Sequence, residues 1–326
     1  MKYIRLLCLL LTTIFLSACS FTTKEPIQRT GFYFDTVISI TLYDTQDESL
    51  LDNCFAYCEE FENLISRTKP GSDIARINAA GGQPVTVSDT TIELLKLGIY
   101  YGNLTEGAFD ITIAPVSSLW NFKSETNIVP SDAQIKQQAS HVNYQNIHID
   151  GNTVRLTDKL AALDLGGIAK GYMADQLKNY LKQNQVKSAL INLGGNIVTI
   201  GSKPNGSAFK IGIQKPFDTQ NASITSVSSK NSSVVTSGVY ERYFKTNNRL
   251  YHHILDPHSG YPCENGLLSV TILSKESTAG DALSTACFVL GPEQGQKLIQ
   301  SLDGIDAIFI TEDYHIIDTR HEKREP

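Results

Sequence analysis

The sequence predicts an α+β fold of two α/β lobes with mixed or antiparallel sheets and a ligand site between the lobes. Two patterns carry that prediction. Apolar residues recur at helical spacing in several segments, and the second half is dominated by short alternating runs that end in turns. The length agrees, since 326 residues with 41% hydrophobic side chains can fill one large core or two ordinary ones. The 28 basic and 34 acidic residues leave a net charge of −6 with no long basic run, which argues against a nucleic-acid partner.

The chain opens with Lys2 and Arg5, then an apolar run from Leu6 to Leu16 that ends Leu16-Ser17-Ala18-Cys19. That run is too short to cross a bilayer core of about 30 Å, so residues 1–18 read as a signal peptide. The Leu-Ser-Ala-Cys ending has the form of a bacterial lipobox, with Cys19 expected to carry lipid and hold the chain on a membrane outside the cytoplasm without spanning it. An ordinary secretory signal that contains a cysteine is the alternative. Residues 19–30 are expected to be a tether, 31–318 the fold and 319–326 a flexible tail.

Gly31 to Asp44 alternates and is rich in β-branched and aromatic residues, which predicts a strand. Leu51, Phe55, Cys58 and Phe61 predict a helix over 47–65, and Ser72, Ser88 and Ser131 are expected to cap helices running to about 78, 103 and 140. Asn121 to Ser131 reads as a polar loop. Leu163-Asp164-Leu165 is expected to end a short strand before a helix over 168–184. Strands follow at about 189–193, 196–201, 208–214, 222–228, 233–236, 250–255 and 267–273. A helix over 278–290 should break at Gly291-Pro292 and resume to Ser301, before strands at 307–310 and 315–317. Cys54, Cys58, Cys263 and Cys287 are an even set, which permits disulfides in an exported protein. The first two sit four apart on an apolar helix face and read better as packed thiols, and no zinc spacing is present.

Four segments have residue types suited to chemistry. In Asp164-Leu165-Gly166-Gly167-Ile168-Ala169-Lys170-Gly171, a strand end, two glycines and a helix start would expose backbone N–H groups to phosphate oxygens; a tight turn with Lys170 in solvent is the equal alternative. Asp281 and Thr285, four apart on a helix, present a carboxylate and a hydroxyl that suit Mg²⁺, although Asp281 could simply complement the helix dipole. His252-His253-Ile254-Leu255-Asp256-Pro257-His258 offers general bases near neutral pH, or plain solvent-facing histidines on a strand that runs into a turn. In Gly107-Ala108-Phe109-Asp110, Asp110 could meet a polar ring edge or cap a helix. Ser237-Gly238-Val239-Tyr240 reads as an ordinary turn. The residues alone therefore point to a phosphate-rich ligand, with Mg²⁺, bound between two lobes of an exported lipoprotein.

Taken in order, Ser72-Asp73-Ile74-Ala75-Arg76-Ile77-Asn78, GAFDITIAPV, LDLGGIAKGYMAD, INLGGNIV, TSGVYERY, HHILDPHSGYP and GDALSTACFVLG resemble the ApbE family of FAD:protein FMN transferases, from about Phe32 to Ile310. The resemblance implies an enzyme that cleaves FAD, attaches FMN to a threonine or serine of an exported redox protein and releases AMP; some relatives hydrolyse FAD instead. A flavin-binding lipoprotein without turnover is the third reading, against which both Asp281 and Thr285 are present. By motif, Asp281, Thr285 and the Gly167 carbonyl would hold Mg²⁺, with Ser284 near the metal. Ala108, Phe109 and Asp110 would line the FAD site. Asp110 and Asp164 would accept hydrogen bonds from adenine or ribose, and Lys170 and Leu255 would touch the dinucleotide. Phe34 and Thr68 would lie around the isoalloxazine and its entrance, and His253 would take the proton from the target hydroxyl. The chain departs from the family at Phe34-Asp35-Thr36, where relatives usually carry Met-Gly-Thr.

Overall fold

The computed structural model describes residues 25–120, 122, 128–218, 220 and 222–322. The expected signal peptide, Cys19 and most of the 121–131 loop therefore lie outside or largely outside the described residues. Among the described residues no helix is long and apolar enough to cross a membrane.

The run expected as one strand is a hairpin. β1 (Ile27–Tyr33) pairs antiparallel with β2 (Thr36–Leu42), so the chain at 27–30, expected as tether, already belongs to the sheet. The two connecting residues, Phe34 and Asp35, both have positive φ (55° and 60°), the geometry of a type I′ turn, which follows strand twist but usually needs Gly or Asn. A Phe-Asp pair has no such signature, so alternation alone cannot reveal the turn. α1 (Glu48–Ile65), capped by Asp47, buries Leu51, Cys54, Phe55, Cys58 and Phe61 as the spacing predicts. α2 (Asp73–Ala79) and α3 (Asp89–Leu104) start at Ser72 and Ser88, whose hydroxyls accept from Ala75 and Thr91 amides.

A three-stranded sheet, missed by the sequence reading, joins β3 (Val85–Thr86), β4 (Ile147–Asp150) and β5 (Thr153–Leu156); its β4–β5 turn is Gly151-Asn152. α4 (Asp132–Ala139) starts on a capping box between Ser131 and Gln134. Leu163–Leu165 is not a strand; the Asp164 amide donates to Ile111 O, and that bond lays the segment beside 109–113.

α5 (Ala169–Gln183) leads into β6 (Ser188–Leu193) and β7 (Asn196–Gly201), then the β8 (Phe209–Gln214) and β9 (Ser223–Ser229) hairpin, and β10 (Ser233–Gly238). The run expected at 250–255 is instead the second half of a small hairpin, β11 (Tyr243–Thr246) and β12 (Arg249–His252), after which the chain leaves strand geometry. β13 (Leu267–Ser274), α6 (Ser277–Gln300), β14 (Asp306–Thr311) and β15 (Ile316–Asp318) complete the fold, with α6 interrupted at Gly291 (φ 76°, ψ 177°) before Pro292. Thr319, expected in the flexible tail, is fully buried, and its hydroxyl accepts from the Ala307 amide.

Eight strands form one sheet in the order β1-β2-β6-β7-β10-β13-β14-β15, every pair antiparallel. α1 packs against β1, α5 against β6 and β7, and α6 against β10 and β13, with α5 and α6 side by side. The main apolar core runs through these layers into the three-stranded sheet, and a smaller cluster gathers Val116, Trp120, Ile135, Phe244, Tyr251 and Leu255. All four body cysteines are buried free thiols, and burial pushes each up to about 12, so the packed-thiol reading of Cys54 and Cys58 holds.

Candidate functional site

One end of the large sheet collects the turn Phe34-Asp35, the turn Gly194-Gly195 and the end of β10; Ser284 and Thr285 of α6 meet Ser237 there, and the first turn of α5 packs against α6 through Gly171. Gly194 takes φ +61° and sits so close to the first turn that a Cβ there would lie 2.4 Å from Thr36 Oγ1, so only glycine lets the two hairpins meet.

Asp281, in the second turn of α6, is 4% exposed. Its Oδ2 accepts from the Gly171 amide at 2.8 Å, while Oδ1 lies 3.8 Å from Lys170 Nζ. Thr285 is one turn further along. A Cβ on Gly167 would sit 3.6 Å from Thr285 Oγ1 and 3.0 Å from the Phe109 ring, which places the glycine turn directly opposite that hydroxyl. Lys170 Nζ also donates to Gly166 O at 3.2 Å, so the lysine lies folded across the turn rather than pointing into solvent. Ser284 is fully buried; its hydroxyl donates to Asp281 O and meets Ser237 Oγ at 2.8 Å, and Ser237 Oγ also lies 3.3 Å from Thr285 Oγ1. Ser237, read from sequence as part of a plain turn, thus supports the Thr285 hydroxyl. The oxygen set of Asp281, Thr285 and the Gly167 turn fits a hard divalent cation. Among the described residues no cluster of three or more His, Cys, Asp or Glu forms an alternative metal site.

Asp164 joins the same edge. Its Oδ1 accepts from the Gly166 amide at 3.0 Å, and its Oδ2 accepts from Ser117 Oγ at 3.0 Å and faces Arg67 Nε at 3.3 Å. Arg67 also donates to Ser118 Oγ, which ties the exposed Thr68 loop to the site. On the other side of that loop, Lys69 binds Glu62, whose second oxygen accepts from the Phe34 amide at 2.6 Å. Glu62 thereby holds the strained Phe34 turn, and the Phe34 ring packs edge-on against Phe61. Arg67 and Glu62 carry no motif of their own; only the fold brings them to the site.

Asp110 is buried, and its carboxylate is committed locally. Oδ1 accepts from the Thr112 amide and hydroxyl, and Oδ2 from the Tyr144 amide at 2.8 Å. Burial raises its pKa, with those hydrogen bonds and the charge of His258 opposing. It braces the 108–112 turn that carries Ala108 and Phe109, both buried. Leu255 anchors the chain after β12 in the Trp120 cluster.

The two adjacent histidines differ. His252 is engaged at both ring nitrogens, Nε2 with Cys263 O at 2.9 Å and Nδ1 with the Ile254 amide at 3.3 Å. His253 has its amide on Arg242 O at 3.1 Å, while its ring Nδ1 is buried without a partner. Burial lowers its pKa to about 3, and the charges of Arg242, His252 and Lys170 push in the same direction. It is therefore a neutral imidazole beside cationic groups. Arg242 itself was not singled out from the sequence. Lys170, Arg67 and Arg242 place three cations at this edge, set against the carboxylates of Asp281, Asp164 and Glu241. Two surface hollows of about 560 and 470 Å³ share none of the site residues: one lies against the three-stranded sheet near Arg155, the other beside α4 and His258.

Comparison with known proteins finds relatives over most of the chain. The pattern described as the ApbE family matches residues 34–309. An FAD:protein FMN transferase of Klebsiella pneumoniae is 40% identical over 283 residues, 86% of this chain and 87% of the relative. One of Treponema pallidum is 34% identical over 282 residues, 82% of this chain and 78% of the relative. Among solved structures, the ApbE protein of Thermotoga maritima superposes with a TM-score of 0.84 at 30% identity, covering 92% of this chain and 98% of its own. The apo flavinyl transferase ApbE of Pseudomonas stutzeri gives 0.82 at 30% identity, covering 92% and 96%.

Proposed function

The chain belongs to the ApbE family, and from that membership we propose that it is an FAD:protein FMN transferase. It takes FAD as substrate and moves FMN to a threonine or serine hydroxyl of an exported redox protein, releasing AMP. The observation that carries this reading is the meeting of Gly167 and Lys170 at the start of α5 with Asp281 and Thr285 on α6, with Lys170 also within electrostatic reach of His253, whose ring Nδ1 is unpartnered.

The Gly166-Gly167 turn before α5 suits the pyrophosphate oxygens, and Lys170, Arg67 and Arg242 add positive charge around them. Asp281 Oδ1, Thr285 Oγ1 and the Gly167 carbonyl would hold Mg²⁺, and the cation would neutralise charge building on the pyrophosphate as it breaks. Phe34, supported by Glu62 and Phe61, and the Thr68 loop border the place for the isoalloxazine. Asp164, partly exposed, is the acceptor for a ribose or adenine group, and Asp110, Ala108 and Phe109 form the floor beside it. Attack then joins the acceptor oxygen to the FMN phosphorus and breaks that phosphorus's bond to the bridging oxygen. The hydroxyl proton goes to neutral His253, and AMP departs with the bridging oxygen. The lipobox ending at Cys19 supports a lipid anchor outside the cytoplasm, within reach of exported targets.

The test is incubation of the mature chain with FAD, Mg²⁺ and a flavoprotein domain that carries an acceptor threonine. Intact mass spectrometry should show the domain gaining FMN, AMP should appear in equal amount, and chelation should stop both. Asp281→Ala should abolish the adduct while the protein stays soluble. AMP release with no adduct would establish hydrolysis instead. For the anchor, Cys19→Ser should release the protein from the membrane fraction.

A further inference from the structure

Neither helix at the site carries a side-chain cap of its own: Ile168 before α5 and Glu276 before α6 make no capping bond. Each helix takes its cap from the other. Asp175, in the second turn of α5, accepts from the Ser277 amide (2.9 Å), the Thr278 amide (2.8 Å) and the Thr278 hydroxyl (2.8 Å) at the start of α6. In return Asp281 of α6 accepts from the Gly171 amide in the first turn of α5 (2.8 Å). Lys178 completes the Asp175 environment with bonds to Asp175 Oδ1 (3.0 Å), Lys275 O (2.9 Å) and Glu276 Oε2 (2.9 Å). Gly171 allows the close approach, since a Cβ there would lie 2.4 Å from Ser277 O.

We propose that Asp175 is a positioning residue for the cation site: by capping α6 from α5 it fixes the distance between the Gly167 turn on one helix and Asp281 and Thr285 on the other. The inference rests on the reading of Asp281, Thr285 and Gly167 as the Mg²⁺ site. Both oxygens of Asp175 accept two bonds each, so its carboxylate is saturated, and it is 6% exposed. An asparagine at 175 would turn an NH₂ toward donors that need an acceptor, and α6 would shift or tilt to relieve the clash. Asp281 would move with it, because its Oδ2 is pinned to Gly171 while its backbone follows α6. Lys178 is driven the other way by burial, but Asp175 and Glu276 hold it above the ordinary lysine range, so the cation stays in place to balance the pair.

The experiment uses the mature chain with FAD and measures Mn²⁺ binding by electron paramagnetic resonance without acceptor, and the Mg²⁺ dependence of FMN transfer with acceptor. Asp175→Asn should raise the half-saturating metal concentration at least tenfold, while kcat at saturating Mg²⁺ returns to within about threefold of wild type. Thr278→Val, which removes one of the four bonds and keeps the carboxylate, should move the metal requirement the same way by a smaller factor, and decides the matter if the asparagine variant does not fold. Ser131→Ala, which breaks the remote capping box of α4, should lower the melting temperature with no change in metal dependence. Wild-type metal half-saturation in Asp175→Asn or Thr278→Val, alongside a lowered melting temperature, would overturn the proposal and leave Asp175 a purely structural cap. Failure of the transferase reading shows differently, as wild-type protein that binds Mn²⁺ with FAD but forms no adduct; the Mn²⁺ arm then still decides for Asp175.

Discussion

Gly171→Ala tests how tightly the two site helices are set. An alanine Cβ would stand 2.4 Å from Ser277 O, 2.8 Å from Ser277 C and 2.7 Å from Asp281 Cβ. None of these atoms can rotate away, because two are backbone and the third begins the side chain that is bonded to Gly171. Reaching even a 3.0 Å contact requires the helices to part by about 0.6 Å. Alanine gains about 1 kcal/mol over glycine inside a helix, whereas overpacking of this kind costs about 1–3 kcal/mol and lies toward the upper end where backbone is the obstacle. The net expectation is a loss of about 1–2 kcal/mol, or a melting temperature lowered by about 2–4 °C for a domain of this size. Transfer should suffer more than stability, by up to about 100-fold, since the displacement separates Gly167 from Asp281 and Thr285. Thermal unfolding followed by circular dichroism, beside FMN transfer measured against Mg²⁺, checks both. A melting temperature equal to or above wild type with an unaltered metal requirement would refute the steric argument, because helix propensity would then be the only term acting.

His253→Ala should leave FAD binding intact and slow transfer about 100- to 10,000-fold, as expected for loss of a general base; wild-type turnover would remove His253 from the mechanism. Because burial lowers His253 from 6.5 to about 3, the imidazole stays unprotonated well below neutrality, so an acid limb of kcat/KM with its midpoint near 6.5 would contradict that environment. The same shift gives a sign for stability: between pH 6.5 and about 3 the unfolded chain binds a proton that the folded histidine refuses, so this group destabilises the fold progressively as pH falls through that window, measurable as a declining unfolding midpoint. Arg67→Ala should change stability by less than about 1 kcal/mol, since its pair with Asp164 is partly exposed, yet raise KM for FAD with kcat nearly unchanged; a fall in kcat at constant KM would count against a binding role. The four body thiols, all buried and pushed up to about 12, should resist a thiol reagent until the protein is unfolded, and rapid labelling of the native protein would show the packing to be looser than described.

Local signals in the sequence determined a good deal of this protein. Serines 72, 88 and 131 start helices because their hydroxyls satisfy nearby amides, and Gly291-Pro292 interrupts α6 because neither residue supports an unbroken helix. Asp281 and Thr285 share a helix face by periodicity, and the seven ordered motifs mark the family without reference to tertiary structure. Tertiary structure decided what depends on residues far apart in the chain. The Phe34-Asp35 turn is held by Glu62, 28 residues away, so alternation read the hairpin as one strand. Asp110, attractive as a ligand-binding carboxylate, has its oxygens occupied by Thr112 and Tyr144, whereas His253 and not His252 keeps an unpartnered ring nitrogen. Arg67 meets Asp164 and Asp175 meets the start of α6 across about 100 residues of chain, and Ser237 becomes a partner of Thr285 only when β10 lies against α6. Caps, turns and periodicity act over a few residues and leave a mark in sequence; the saturation of a buried carboxylate or the isolation of a buried nitrogen depends on which distant groups the folded chain brings within hydrogen-bonding distance.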